Sequence, residues 1–217
     1  MTRRNLPPSR RPLRDHLRAR PGVERIEPRT LLSTFTVTST GNAGVGTLRQ
    51  AILDANDNSG TDTIAFAIDS GAQTIRPTSA LPTITDPVSL DAATQPSYAG
   101  SPLIELSGNL AGQGVDGLRV AAGGSTIRGL VIANFQGAAL RLEGKDGNRV
   151  DGNFFGTDVT GSMAQGNGGS GIVISGSSGN TIGGTSLGNG NGNVIAANTG
   201  YGLDIGEATV SPTTTNT

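Results

Sequence analysis

The 217-residue sequence predicts an all-β chain: a parallel β-helix solenoid with a short N-terminal capping helix and a disordered basic N-terminal tail. Three observations predict it. One phrase recurs: Ser125-Thr-Ile-Arg-Gly129 runs into Leu130-Val-Ile-Ala-Asn134, and Asn148-Arg-Val-Asp-Gly152 into Asn153-Phe-Phe-Gly-Thr157. Asn180-Thr-Ile-Gly-Gly184 reaches Asn193-Val-Ile-Ala-Ala-Asn198 after an insertion. A second phrase alternates with the first, at Leu118-Arg-Val120, Leu140-Arg-Leu142, Ile172-Val-Ile174 and Leu203-Asp-Ile205. The tightest spacings, Leu118 to Leu140 and Gly129 to Gly152, are 22 and 23 residues, a period that marks a solenoid. The third observation is composition. There are 34 Gly, 3% aromatics and no Trp, which is poor for a conventional core but suits a narrow interior of stacked Val, Ile and Leu.

Taken in order, residues 1–33 are rich in Arg and Pro, lack apolar periodicity and read as disordered. They also lack the 7–15-residue apolar stretch of an ordinary secretory signal. Phe35–Thr40 alternates like a strand, and Gly41–Gly44 turns the chain. Thr47 opens a helix as a capping box with Gln50, in which each side chain satisfies an orphan N–H of the first turn. Leu48, Ala51, Ile52 and Ala55 share one apolar face, and Asn56–Gly60 ends the helix. This small amphipathic helix is predicted to cover the open end of the first coil. Further strands are predicted at Thr63–Ile68, Thr74–Arg76, Pro82–Pro87, Val88–Asp91 and Leu103–Leu106. Two later coils exceed the basic period: Leu140 to Ile172 spans 32 residues and Ile172 to Leu203 spans 31. Their extra residues, Gly156–Asn167 and Thr185–Gly192, are expected to protrude as loops. The segments are therefore a tail over 1–33, a strand–helix cap over 34–62, coils over 63–207 and a Ser/Thr-rich tail over 208–217.

Charge is uneven. Residues 1–29 carry nine Arg against Asp15, Glu24 and Glu27, about +6, while the remainder has seven basic and fourteen acidic residues, −7. An acidic body argues against nucleic acid as a partner. No apolar run approaches the length of a membrane span. With no Cys there is neither disulfide nor thiolate metal site.

Several motifs resemble one protein group. Ile26-Glu-Pro-Arg-Thr-Leu-Leu32 is similar to the LEPR-XLL motif near the N-termini of large exported bacterial proteins, with Ile26 where the motif has Leu. Thr47–Ile52 with Ala55-Asn56 resembles the serine-leucine-arginine-rich strand–helix element that precedes many bacterial β-helix proteins. Thr94–Gly100 and Asn153–Gly161, followed by Ala164, Gly166 and Asn167, resemble recurrent loops of the same proteins. The resemblance covers about residues 34–207. It implies bacterial, pectin-lyase-like right-handed parallel β-helix repeats, and so gives the handedness, which spacing does not. It implies an extracellular or cell-surface location. These proteins mostly have no assigned activity.

The chemistry is sparse. Asn148, Asn180 and Asn193 occupy similar places in successive coils and are expected to be turn residues that tolerate positive φ and hydrogen-bond neighbouring coils. Arg119, Arg141, Val173 and Asp204 should form one outward column, a solvated surface or a binder of acidic glycan. Asp146, Asp151 and Asp158 do not match a calcium repeat and read as turn residues. Glu143 and Lys145 read as solubilising. Phe154, Phe155 and Tyr201 are scattered and expected to pack. The sequence has no Asp-Asp pair, and its one histidine, His16, lies in the tail, so the Gly-His-Gly element of polygalacturonases is missing. No residue is assigned to catalysis, cofactor or metal. The sequence therefore predicts a non-catalytic exported or cell-surface structural or adhesive module. Its expected partner is an extracellular glycan or cell-envelope component, with self-association through an open C-terminal coil near Leu203–Ile205. The alternatives are a polysaccharide-processing lyase or hydrolase fragment and a piece of a longer surface protein.

Overall fold

The computed structural model describes residues 32–184 and 192–206. Residues 1–31 of the first predicted tail, including His16 and Ile26–Leu31 of the motif, residues 185–191 of the second predicted loop and the whole C-terminal tail lie outside the described residues. The chain forms β1 (Thr34–Val37), α1 (Leu48–Asp57), β2 (Asp62–Phe66), β3 (Gln73–Ile75), β4 (Val88–Asp91) and β5 (Ile104–Ser107). It continues with β6 (Leu118–Val120), β7 (Thr126–Arg128), β8 (Leu130–Ala133), β9 (Leu140–Glu143) and β10 (Arg149–Asp151). The last strands are β11 (Phe154–Phe155), β12 (Ile172–Ser175), β13 (Thr181–Ile182), β14 (Val194–Ile195) and β15 (Leu203–Gly206).

These strands make three parallel sheets among the described residues, ordered β1-β2-β4-β7-β10-β13, β3-β5-β8-β11-β14 and β6-β9-β12-β15. From β7 onward each strand belongs to the next sheet in rotation, so every third strand pairs with its predecessor. Among the described residues the first sheet is visited six times, the second five and the third four. The recurrent phrases pair in register: Ile127 with Val150 and then Ile182, and Leu140 with Ile172 and then Leu203. Pro82–Pro87 is not a strand. Only Ile84 bridges, to Val120 in the third sheet, because prolines at both ends remove ladder donors.

The pairing stacks like on like inside. Ile64, Leu90, Ile127 and Val150 form one buried column, Ile75, Leu106, Ile132 and Phe155 a second, and Leu118, Leu140 and Ile172 a third. Each such side chain contributes about 1.5–3 kcal/mol on burial. Burial fades at the last pass. Ile182 and Ile195 are partly covered, and Leu203 and Ile205 are 40% and 46% exposed.

At the other end, α1 contacts β1 and β2, and Leu48, Ala51, Ile52 and Ala55 enter the core. Arg49 donates to the carbonyls of Ser79 and Ala80, while Asn56 donates to Thr83 O and accepts from Thr85 N, anchoring the helix across the first pass. The capping box is half formed. Thr47 Oγ1 accepts from Gln50 N at 3.3 Å, but the Gln50 amide turns to Asp54 at 2.8 Å. Thr47 N donates instead to Gly44 O at 3.2 Å, so the preceding turn already satisfies the N–H that Gln50 was expected to reach.

Side-chain amides line the corners between sheets. Before the first sheet, Ser125 N donates to Asn148 Oδ1 and Asn148 N to Asn180 Oδ1, both at 3.0 Å. Between the first and second sheets, Leu130 N donates to Asn153 Oδ1 at 3.0 Å and Asn153 N to Asn193 Oδ1 at 2.9 Å. Between the second and third, Phe135 N donates to Asn167 Oδ1 at 3.0 Å and Asn167 N to Asn198 Oδ1 at 3.1 Å. Thus Asn193 belongs with Asn153 and not with Asn148 and Asn180. None of the three expected turn asparagines has positive φ; that conformation falls to Asn134. Their role is to supply acceptors to N–H groups one pass earlier, which burial would otherwise leave unpaired.

The first predicted loop is smaller than its spacing suggests. Gly156, Thr157 and Asn167 are buried, and the excursion is a hairpin closed by the Thr157–Ala164 bridge and Asp158 N to Met163 O at 3.0 Å. Replacing Asp158–Met163 by a short Gly turn should leave the melting temperature within a few degrees of the parent, as surface changes do. Deleting all of Gly156–Asn167 also removes a corner asparagine and should abolish the cooperative melt followed by circular dichroism.

Candidate functional site

Side chains alternate across a strand, so residues between the core positions point outward. On the third sheet Arg119, Arg141, Val173 and Asp204 stand in register, as the sequence predicts. The arginines are already engaged. Arg119 Nη2 meets both oxygens of Glu143 at 3.0 Å, and Arg141 Nε meets Asp116 Oδ2 at 2.7 Å. The hydrogen bond that Arg141 donates to Asp116 holds its guanidinium above its ordinary value, against the opposite push of partial burial. The more exposed of the two pairs, Arg119–Glu143, holds the surface together weakly, and both leave few donors for a ligand.

Asp146 and Asp158 are engaged within turns, as the sequence reading expects. Asp146 Oδ1 accepts from Ser178 N at 2.7 Å. Asp158 accepts from the Thr160 hydroxyl at 2.8 Å and from Ser162 N and Met163 N. Those bonds, Thr160 first, hold its carboxyl below the usual carboxylate value. The hairpin is therefore stabilised above the unfolded carboxylate value, and loses that contribution as pH falls through the lowered folded value. Among the described residues no three His, Cys, Asp or Glu side chains gather as a metal site. Lys145 contributes its carbonyl, which accepts from Asn148 Nδ2 and the Ser177 hydroxyl, while Glu143 pairs with Arg119. Phe155 is buried and Phe154 partly so, but Tyr201 is 72% exposed, contrary to the packing expected.

A cleft of about 490 Å³ lies between β1 and α1, lined by Phe35, Thr36, Val45, Gln50 and Asp54 among others. Its one carboxylate, Asp54, accepts from Gln50, so the cleft presents no paired acid and base.

A further polar cluster sits on the first sheet. Asp91, Arg128 and Asp151 occupy one register line across β4, β7 and β10. Asp151 is only 3% exposed although it points outward. Its Oδ2 accepts from Arg149 Nε at 2.7 Å and Nη2 at 2.6 Å, while Oδ1 lies 3.9 Å from Arg128 Nε. Oδ1 is buried and accepts no hydrogen bond. Tyr98, on the Thr94–Gly100 loop, lies within electrostatic reach of Arg128, Asp91 and Asp151. Burial raises its phenol above the ordinary value of 10.0, Arg128 opposes this, and Asp91 and Asp151 add to it. The phenol should therefore titrate above its unfolded value, so stability falls as pH rises through the folded value. Arg128→Gln should raise it further, read by ultraviolet difference absorbance. An unchanged or lowered titration would place Arg128 outside the phenol's reach. The sequence singled out Asp151 and the loop separately, but only pairing through β7 joins them.

Among the described residues no helix is long and apolar enough to cross a membrane. A comparison with protein-family models finds none that matches the chain, and a comparison with curated proteins finds none that is similar to it.

Proposed function

We propose that this chain is a right-handed parallel β-helix module of an exported or cell-surface protein, acting as a non-catalytic structural or adhesive element. The observation that carries the reading is the rotation of successive strands through three in-register parallel sheets, with an asparagine ladder at each corner. That arrangement builds a stiff rod whose outer faces are free for contact. The outward carboxylates of Glu143 and Asp116 are held by arginines, and those of Asp146 and Asp158 by backbone N–H groups. The N-terminal motif and the loop resemblances favour the surface location, with an extracellular glycan or envelope component as partner.

Cell fractionation of the full chain and of a variant lacking residues 1–33 tests this. Export of the full chain and retention of the variant are expected, and cytoplasmic retention of both would overturn the location. Release of reducing or unsaturated sugar ends from pectin, alginate or glycosaminoglycan by purified protein would instead establish the polysaccharide-processing alternative. Exposure of Leu203 and Ile205 on the outermost strand described favours self-association through that edge. Light scattering should show mass rising with concentration; a monomer throughout would sink this part of the reading.

A further inference from the structure

We propose that the cleft between β1 and α1 is a docking site for a segment of this same chain, Val23–Ile26, added as an antiparallel strand to the free edge of β1. β1 is the outermost strand of the first sheet. Ser33 O and Val37 O accept from Thr63 N and Ala67 N at 2.8 and 2.9 Å, so the main-chain groups of Ser33, Phe35 and Val37 face β2. Those of Thr34 and Thr36 face the other way. Thr38 N, on that same side, is taken by Gly46 O at 2.8 Å, and Ser39 bridges Thr47. Among the described residues nothing bonds the N–H and C=O groups of Thr34 and Thr36. Both residues are exposed and line the cleft, together with Phe35, Val45, Ala51 and Asp54.

Such an edge fixes the class of occupant. Paired donors and acceptors two residues apart match the backbone of an extended peptide. The side chains narrow it. Phe35 is partly buried against the core and Val45 is 97% exposed, so the cleft offers uncovered apolar surface. Asp54 accepts from the Gln50 amide, and among the described residues no cation comes within ion-pair distance of it. The cleft therefore suits a strand that carries an apolar residue and a cation on one face.

The chain supplies one beside it. Residues 1–29 carry about +6 against −7 for the remainder, and the described structure begins at Leu32, two positions before Thr34. A segment just upstream is held near the cleft by a short tether, which raises its effective concentration. A short return must be antiparallel, since a parallel strand needs a crossover of about a dozen residues or more. Pairing Ile26 with Thr34 and Glu24 with Thr36 keeps Pro28, which has no N–H to give, in the connection. Sliding the segment two residues along β1 would set Pro28 against Thr34 and forfeit that bond. In the favoured register Val23 and Arg25 share a face with Val37 and Phe35, toward the cleft. Arg25 then brings its guanidinium to Asp54 and to the Phe35 ring. The cleft exists only once α1 has packed on β1, so folding of the body is what engages the segment.

Hydrogen exchange of the full chain, resolved by nuclear magnetic resonance, tests the docking. The comparison is a full-length variant with Val23→Gly, Glu24→Ser, Arg25→Gly and Ile26→Ser. The Thr34 and Thr36 amides of the parent should exchange about tenfold more slowly than those of the variant, at every protein concentration. The Phe35 amide, which the β1–β2 ladder holds, should stay protected in both. Arg25→Ala and Asp54→Asn should each lower the protection about two- to fivefold, the effect of a part-exposed ion pair. The double variant should lose no more than either alone. Equal rates at Thr34 and Thr36 in the parent and the fourfold variant overturn the inference. Protection that grows with concentration also overturns it, by making a second copy the occupant. Loss of protection at Phe35 together with Thr34 and Thr36 does so too, as fraying of β1. None of these outcomes bears on export, which fractionation decides separately.

Discussion

An Ile52→Asp variant should lose about 4–5 kcal/mol of stability, the range reached when a core contact is removed and a charge is buried in its place. Ile52 is fully buried on the inner face of α1, among core residues that include Val37 and Ile64. Aspartate at this position can remain in the apolar contact as a neutral acid or pull the helix away from it. Either outcome opens the first pass to water. For a chain of this size the melting temperature should fall by roughly 10–20 °C. Leu53→Asp is the matching control, because Leu53 is 41% exposed on the same helix. Equal melting temperatures for Ile52→Asp and the parent would show that α1 is not part of the cooperative unit.

The second large effect is expected from a polar residue. Asn153→Ala should cost about 3 kcal/mol, because several hydrogen bonds vanish together and buried groups lose their partners. Asn153 is fully buried. Its Oδ1 accepts from Leu130 N, and its Nδ2 donates to Ile127 O at 2.9 Å, Asp151 O at 3.0 Å and Asn193 Oδ1 at 3.2 Å. Asn198→Ala, at a part-exposed rung where water can replace the amide, should cost about 1 kcal/mol. Denaturant melts of the two variants separate the cases. Equal midpoints for Asn153→Ala and Asn198→Ala would mean that the ladder adds nothing beyond what water supplies.

The apolar repeat was legible because strand pairing acts on the same residues that alternation marks. Leu118, Leu140, Ile172 and Leu203 could be aligned by eye, and they pair. The asparagine ladders were legible only in part. Asn148 and Asn180 stand before similar triplets, but Asn193 also precedes Val-Ile, which matched the wrong corner. Asn167 ends an inserted hairpin, so spacing hid its equivalence to Asn198. The polar cluster was least legible. Alternation places Asp151 outward, where a carboxylate is normally solvated, and its burial depends on tertiary context that sequence neighbours do not report. Likewise Gln50 was available for a capping box, and a competing backbone bond from Thr47 N to Gly44 O removed the need for it.

Each inner corner asparagine accepts a hydrogen bond from the pass before it at its side-chain oxygen and donates its backbone N–H to the pass after it. This polarity makes an inner pass self-consistent: it meets its neighbours through the same bonds on both sides. A tandem copy of the 23 residues from Thr126 to Asn148 would bring its own rung and its own members of the inner columns. Gene duplication can therefore add whole passes to the sheets without altering either end. The 22- to 23-residue step fixes where a crossover preserves the reading of the stack, and copies that begin elsewhere in the turn inherit the same register.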